Sequence, residues 1–559
     1  MTSMDISKGN QTVSRVLAFS STSSSSGSSG SSRSSLLTTL QTVLMSSSAG
    51  ATSSSSMATT FNANISTTMA TINTFDEEIL NTADDLTTTP FGATVMPHDL
   101  GSASTGFIIW AAALVFFMTP GLALFYSGLS KYNSALSLMM LCMMSTAVVS
   151  VQWFLFGFSL ALSETGGQFI GDLNLGALDT LEARSFPNAA PQIPAIAFML
   201  YQMQFAGITA GIVFGSVPER TRFLPAMVFV FFWTTFVYDF VAYWTWSDHG
   251  FLQNLSCLGE ASWPCRKGSL DFAGGGPVHI TAGFSGLAYL VVLGKRKLIH
   301  AEHHNMVNVM FGTGVLWFGW FAFNGGSAGG ANTRAAMAAT VTTISAATGG
   351  LTWVWFDYYF TRKLSAFSFC SGIVAGLVGI TPGSGFVAPW ASILIGFITA
   401  ILCNLCCRLK KRLGIDDSFD AGSLHGAGGF IGNILTGIFA QKWVAQLDGT
   451  DIIGGLVEGV WKQIVYQIVS SAAIAIWAFL ISFSLLWVIN KIPGLHLRQS
   501  EADEARGGDL AEMGEAGYIL AAPDTTPKPI TTFAALQERT ANVNGNAVHP
   551  KGKSFFDDD

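Results

Sequence analysis

From residue 106 to residue 490 the chain alternates long apolar runs with short polar connections. The runs recur eleven times, at 106–128, 134–162, 195–216, 222–246, 277–294, 305–325, 335–360, 364–381, 386–408, 424–440 and 462–490. Each is close to the roughly 17–25 residues that a helix needs to cross the hydrocarbon core of a bilayer. The pattern predicts an all-α polytopic membrane protein of eleven transmembrane helices. Composition agrees, because half of the 559 residues are hydrophobic and only 11% are charged, against about 25% in soluble proteins. Outside the apolar region, residues 1–102 are rich in Ser and Thr and lack the continuous apolar core of a signal peptide, so they read as a disordered extracellular tail. Residues 521–559, with Pro523, Pro527 and Pro529, read as a disordered cytoplasmic tail.

The polar connections alternate in positive charge, and cytoplasmic loops are the ones that retain it. One set carries Lys131, Arg220, Arg222, Lys295, Arg296, Lys297, Arg362, Lys363, Arg408, Lys410, Lys411, Arg412, Lys491 and Arg498. The other set carries Arg184, Arg266, Lys267, Arg334, Lys442 and Lys462. The N-terminus is therefore expected outside and the C-terminus inside, which requires an odd number of spans. The formal charge of −7 reflects acidic tails such as FFDDD and gives no reason to expect a nucleic-acid partner. Asn-X-Ser/Thr sequons at Asn10, Asn64 and Asn254 fall on the expected outer side and are candidate glycosylation sites. Cys257 and Cys265 share one polar loop between the fourth and fifth spans and are candidates for a disulfide if that loop is extracellular. The other cysteines lie in or beside apolar runs, where packing, or palmitoylation at Cys406–Cys407, accounts for them.

One span carries a histidine inside an apolar run. DFAGGGPVHITAGFSG (271–286) aligns without a gap to DSFDAGSLHGAGGFIG (417–432), five spans later. Asp271 falls on Asp417, Gly276 on Gly422, His279 on His425, and Gly283, Phe284 and Gly286 on Gly429, Phe430 and Gly432. A displacement of five helices inverts the second copy in the membrane, as in many transporters whose sites lie at the midplane. A two-fold axis in the membrane plane then brings His279 and His425 together. Ionisable groups inside a membrane are costly and usually line a pathway. Helix packing is the competing account. A metal site fits poorly, since the pair has no cysteine or carboxylate at ligand spacing, and no cofactor is expected. An enzyme is not expected either, because HExxH and a buried carboxylate pair on facing helices are lacking. The glycines read as points where helix backbones approach closely.

DFAGGGPVHITAG, WFGWFAFNGGS (317–327), YQMQFAGITAGIVFGSVPER (201–220) and DDSFDAGSLHGAGGFIGN (416–433) resemble the ammonium transporter family, the Amt/Mep/Rh proteins, and most closely its Amt/Mep branch. The resemblance covers residues 103 to about 520. It implies an inverted five-plus-five helix repeat plus one helix, N-terminus out and C-terminus in, over residues 103–492. It also implies a plasma-membrane homotrimer with a pore through each subunit, and ammonium or methylammonium as substrate. By the same resemblance Phe205 and Phe323 form a stacked gate, and Trp246 and Ser327, with Phe205, form an outer recruitment site. His279 and His425 are the twin histidines of the pore, supported by Trp320, and Asp271 shapes the pore mouth. Residues 493–520 look like the regulatory segment of the family, with Gly514, Glu515 and Tyr518 fitting its pattern and Met513 standing where relatives often carry histidine. Two features depart from many relatives: Gly422–Ser423 precedes Leu424, and Pro277 lies two residues before His279.

The physics of such a site is independent of the name. An aromatic face attracts a cation by up to about 2 kcal/mol when desolvated, and a hydroxyl accepts an N–H hydrogen bond. A charge at the membrane centre is costly, and an apolar gate offers nothing to replace hydration. Ammonium, unlike potassium, can shed its proton, so the expected route carries ammonia and a proton separately past the histidines. The rival readings are an ammonia gas channel without current, and a transporting sensor that signals through its tail to a cytoplasmic protein.

Overall fold

The computed structural model describes residues 102–518 except 179–184, 187–189, 259, 261–263, 266 and 298–302. The expected tails at 1–102 and 521–559, with Asn10 and Asn64, lie outside the described residues except for Ser102, which opens the first helix. The described part is helical and contains no strand; two isolated bridges, Phe186 to Ala190 and Thr221 to Arg498, are its β-type pairings. Helices occupy all eleven expected positions: α1 (Ser102–Leu129), α2 (Tyr132–Leu162), α3 (Ala195–Ser216), α4 (Phe223–Trp246), α5 (Gly275–Leu293), α6 (Met306–Gly326), α7 (Thr333–Thr361), α8 (Ala366–Gly383), α9 (Pro389–Arg412), α10 (422–439) and α11 (Lys462–Lys491). Among the described residues nine of these are long and apolar enough to cross a membrane. The other two are α7, which dilutes its apolar content with Thr, Ser and Gly, and α10, which opens on Gly, Ser and His. The chain is a multi-pass membrane protein.

Helix α1 packs along α6, α7 along α8 and α9, and α5 against α11. Where α5 meets α10 the approach is at backbone distance. A Cβ on Gly283 would stand 2.2 Å from the Gly426 nitrogen and 2.4 Å from its Cα, closer than any side chain permits. Both helices also begin in a π-helical turn, Gly275–Ile280 and Gly422–Ala427, and these turns hold His279 and His425. Such turns often mark functional sites, because the extra residue per turn redirects side chains. Asp271 closes the first turn, its carboxylate accepting from the backbone N–H of Gly274, Gly275 and Gly276 at 2.6–2.8 Å. Asp417 does the same for the second through the N–H of Gly422 at 3.0 Å. Gly276 and Gly422 are aligned positions of the sequence repeat, so one capping device serves both copies.

The helix ends that carry most of the basic residues are bound together by ions and by the tail. Arg296 reaches Asp416 at 2.8 Å and Glu219 at 3.3 Å, and the fully buried Arg220 donates to the carbonyls of Ser216 and Asp416. Burial pushes the Asp416 carboxyl upward, but the Arg296 hydrogen bonds and the Arg220 charge prevail and hold it below the usual carboxylate range. After α11 the chain returns along this face. The N–H of Arg222 donates to Leu497 O and that of Gln499 to Arg220 O, Arg498 bonds the buried Glu504 at 2.7 Å, and a short helix α12 (Glu501–Arg506) follows. Asp509 then accepts the N–H of Ser137 at 2.7 Å.

Candidate transport pathway

The face opposite the basic helix ends opens on a vestibule of about 560 Å³. Trp246, at the end of α4, and Ser327, just past α6, line it, together with Asp271 and Phe272. The indole N–H of Trp246 donates to Asp271 O at 3.1 Å, which fixes the ring. The Ser327 hydroxyl donates to Phe323 O at 2.9 Å. Its proton is thereby used, so toward the vestibule it can only accept, as a cation with N–H groups requires. Arg334 sits over Phe272 and Phe386 at 4.7 and 4.8 Å and bonds Asp448.

Below the vestibule, Phe205 of α3 and Phe323 of α6 stack with ring centroids 4.1 Å apart and planes 24° from parallel. Trp246 meets Phe205 edge-on at 6.1 Å, so the vestibule aromatics and the stacked pair form one continuous surface. Tyr201, four residues before Phe205, donates its hydroxyl to Phe323 O at 2.6 Å and lies 3.4 Å from Ser327 Oγ. This residue ties the two sides of the stack together, and sequence reading passed over it although it stands within the YQMQFAG motif.

Behind the stack lies a narrow apolar cavity of about 10 Å³, room for about one water-sized molecule. His279 and His425 line it, with Nδ1 atoms 3.2 Å apart. Trp320 stacks on His279 at 5.4 Å and donates its indole N–H to Thr381 Oγ1 at 2.9 Å. His279 is fully buried, and its Nε2 has no hydrogen-bond partner among the described residues. Tyr126, Phe419 and Leu424 line the same cavity. The fold thus brings Trp246, Ser327, Phe205, Phe323, Trp320, His279 and His425 into one line of side chains.

The remaining candidate residues lie elsewhere. Cys257 and Cys265 are bonded, with Cα atoms 6.3 Å apart. Asn254 is fully buried, and its Nδ2 donates to the carbonyls of Asp248 and Gly250 at 2.7 and 2.8 Å. The amide that would carry a glycan there is thus already hydrogen-bonded. Gly514 ends a π-helical turn (Asp509–Met513) in the left-handed region, Glu515 N donates to Asp509 O, and the Tyr518 hydroxyl accepts from Asn308 at 3.0 Å. Met513 stands in the same turn.

A buried line of aromatic rings and paired imidazoles, reached from a polar vestibule and set among membrane helices, defines a transport protein. The sequence profile of the Ammonium Transporter Family matches residues 106–518, and the chain belongs to that family. It is 43% identical over 456 residues to Ammonium transporter 1 of Schizosaccharomyces pombe, covering 80% of this chain and 89% of the relative. To Ammonium transporter MEP2 of Saccharomyces cerevisiae it is 43% identical over 449 residues, 78% and 87% of the two chains. The crystal structure of Candida albicans Mep2 superposes with a TM-score of 0.67 at 40% identity, covering 76% of this chain and 94% of that one. These relatives are named as transporters, and the chain is a transport protein and not an enzyme.

Proposed function

We propose that the protein takes up ammonium, and methylammonium, across the plasma membrane. Ammonium binds in the vestibule against the Trp246 face and the Ser327 oxygen, with Phe205 as the floor. It loses its proton at the Phe205–Phe323 stack. Ammonia then passes the stack, the Trp320-supported histidines relay the proton separately, and the two recombine inside. The observation that carries this reading is the His279–His425 contact in an apolar cavity with room for about one small molecule, directly behind a closed aromatic stack. A hydrated cation finds no replacement for its water there, whereas ammonia needs none.

The same reading takes the protein as an eleven-span subunit of a homotrimer, N-terminus outside, with residues 493–520 as a cytoplasmic regulatory segment. Asp271 supports the mouth by holding the start of α5, not by ligating the cation. Ammonium-evoked current on proteoliposomes, recorded on a solid-supported membrane, tests the mechanism. Sustained saturable current in the parent, abolished or made potassium-permeable in His279→Ala and His425→Ala, supports it. Ammonia flux without current refutes the proton step and leaves a gas channel.

A further inference from the structure

The two copies of the repeat are alike in their caps and histidines, and they differ at positions that reach the cavity: modestly where Val278 aligns with Leu424, and by a whole ring one turn earlier. Residue 273, aligned with residue 419, is a fully buried alanine in the first copy. In the second copy it is Phe419, whose ring lines the histidine cavity and packs against Tyr126 at a centroid distance of 5.5 Å. The next aligned pair shares an unusual backbone: Gly274 has φ 108° and Asp420 φ 60°. Glycine takes that conformation freely. An aspartate there is strained unless its surroundings hold it.

They do hold it. The Lys410 ammonium bonds the Asp420 carboxylate, the Asp417 carboxylate and the Asp417 carbonyl. Phe419 N donates to Gly215 O at 3.0 Å, and the buried Arg220 bonds Ser418 Oγ and Asp416 O at 3.1 Å. The chain on both sides of Phe419 is thus clamped by a cation. In the first copy the same turn holds an alanine, and the cation beside it, Arg334, sits over the Phe272 ring instead of bonding a carboxylate of the turn. Phe419 lies at the end of the cavity away from Phe323, among helix ends that carry Lys131, Arg220 and Lys410.

We infer that Phe419 is a rate-setting barrier at the inner end of the pathway, a counterpart to the outer stack that the second copy of the repeat adds by replacing alanine with phenylalanine. Its ring narrows the exit below His425, and the Lys410 and Arg220 clamps keep it there. This rests on the proposed pathway, and the test separates the two.

The measurement is ammonium and methylammonium flux in proteoliposomes, normalised to folded protein, for the parent, Phe419→Leu and Phe419→Ala. The Ala variant carries the residue that the first copy already tolerates. A barrier predicts a maximal rate that climbs severalfold from Phe to Leu to Ala, with the half-saturation concentration unchanged and the larger methylammonium gaining more. A ring that only packs predicts rates equal to or below the parent in both variants at equal folded protein, and that result overturns the inference. If the Ala variant fails to fold, the Leu variant alone decides by the same direction of change. A parent without any ammonium flux refutes the proposed function itself, a result distinct from either outcome at Phe419.

Discussion

His279 and His425 face each other through their Nδ1 atoms at 3.2 Å, and that contact constrains both rings. For neutral imidazoles, one Nδ1 must donate and the other accept. The donor then has a bare Nε2 and the acceptor a protonated one, so the pair offers the cavity one hydrogen-bond donor and one acceptor. The two roles exchange when the shared proton shifts and, with it, the Nε2 of the former donor takes up a proton while the Nε2 of the former acceptor releases one. Two neutral rings so placed can both stabilise ammonia and hand on a proton, which neither does alone. A second proton on the pair would set two N–H groups face to face.

The Gly283–Gly426 crossing sets the spacing of those rings. In Gly283→Ala the new methyl would stand 2.2 Å from the Gly426 nitrogen, so α5 and α10 must separate. Overpacking of this kind costs about 1–3 kcal/mol. Thermal unfolding in detergent is expected to move to lower temperature and transport to fall steeply, while Gly167→Ala, where a Cβ meets nothing within 4 Å, changes neither.

Trp246 is expected to act on affinity before rate. Its face is worth about 0.5–2 kcal/mol to a cation, which corresponds to roughly a 2- to 30-fold rise in half-saturation for methylammonium in Trp246→Leu. Uptake kinetics at equal surface abundance check this. A lowered maximal rate at unchanged half-saturation would place Trp246 in the translocation step instead.

Asp416 makes stability depend on acid. Its folded carboxyl lies below the usual range because of Arg296 and Arg220. The stabilisation is therefore complete above the unfolded value of about 3.9 and is lost as pH falls through the lower folded value. The melting temperature of the parent should hold down to about pH 4 and decline below it. Asp416→Asn should melt lower than the parent at pH 7 and show a shallower acid decline; equal slopes in the two proteins would remove Asp416 as the cause.

Glu504 anchors the tail through Arg498 at 2.7 Å and the Lys297 N–H at 2.8 Å. Hydrogen bonds to charged groups contribute about 1.5–3 kcal/mol. Glu504→Gln should raise protease cleavage and hydrogen exchange across residues 497–518 by about tenfold or more, with the exchange of α5 and α10 unaffected. Unaltered exchange in the tail would mean that Asp509 and the Arg222–Leu497 pairing hold it alone.

Periodicity and the histidine-bearing repeat made much of this architecture readable before any coordinates. The helical positions follow from apolar run length, and among the described residues nine of them are long and apolar enough to cross a bilayer. The pairing of His279 with His425 follows from the repeat, because symmetry carries positional information that a single motif lacks. The π-helical turns were not legible, since nothing in GGPVHI or GSLHGA differs from an ordinary helix start. Nor was the burial of Asn254, whose sequon reports only three local residues and not the loop that folds over it. Tyr201 and Phe419 were missed because each works through a partner more than a hundred residues away, at Phe323 and Tyr126. The disulfide needed only a shared loop, and the tail anchors needed the full set of basic loops brought to one face.

The glycine contact between α5 and α10 bears on how a protein of this kind can diversify. Main chain touches main chain at Gly283 and Gly426, so the bore beside the histidines is a fixed gauge, written in covalent geometry instead of in side-chain volume. No substitution widens it by small steps, and any bulk added there pries the helices apart. On the proposed route the tunable parts are the rings at either end, Phe205 and Phe323 toward the vestibule and Phe419 beyond it, which are side chains and not a backbone crossing. Differences in throughput among proteins built this way should therefore be sought at the ends of the route, while its centre stays the same.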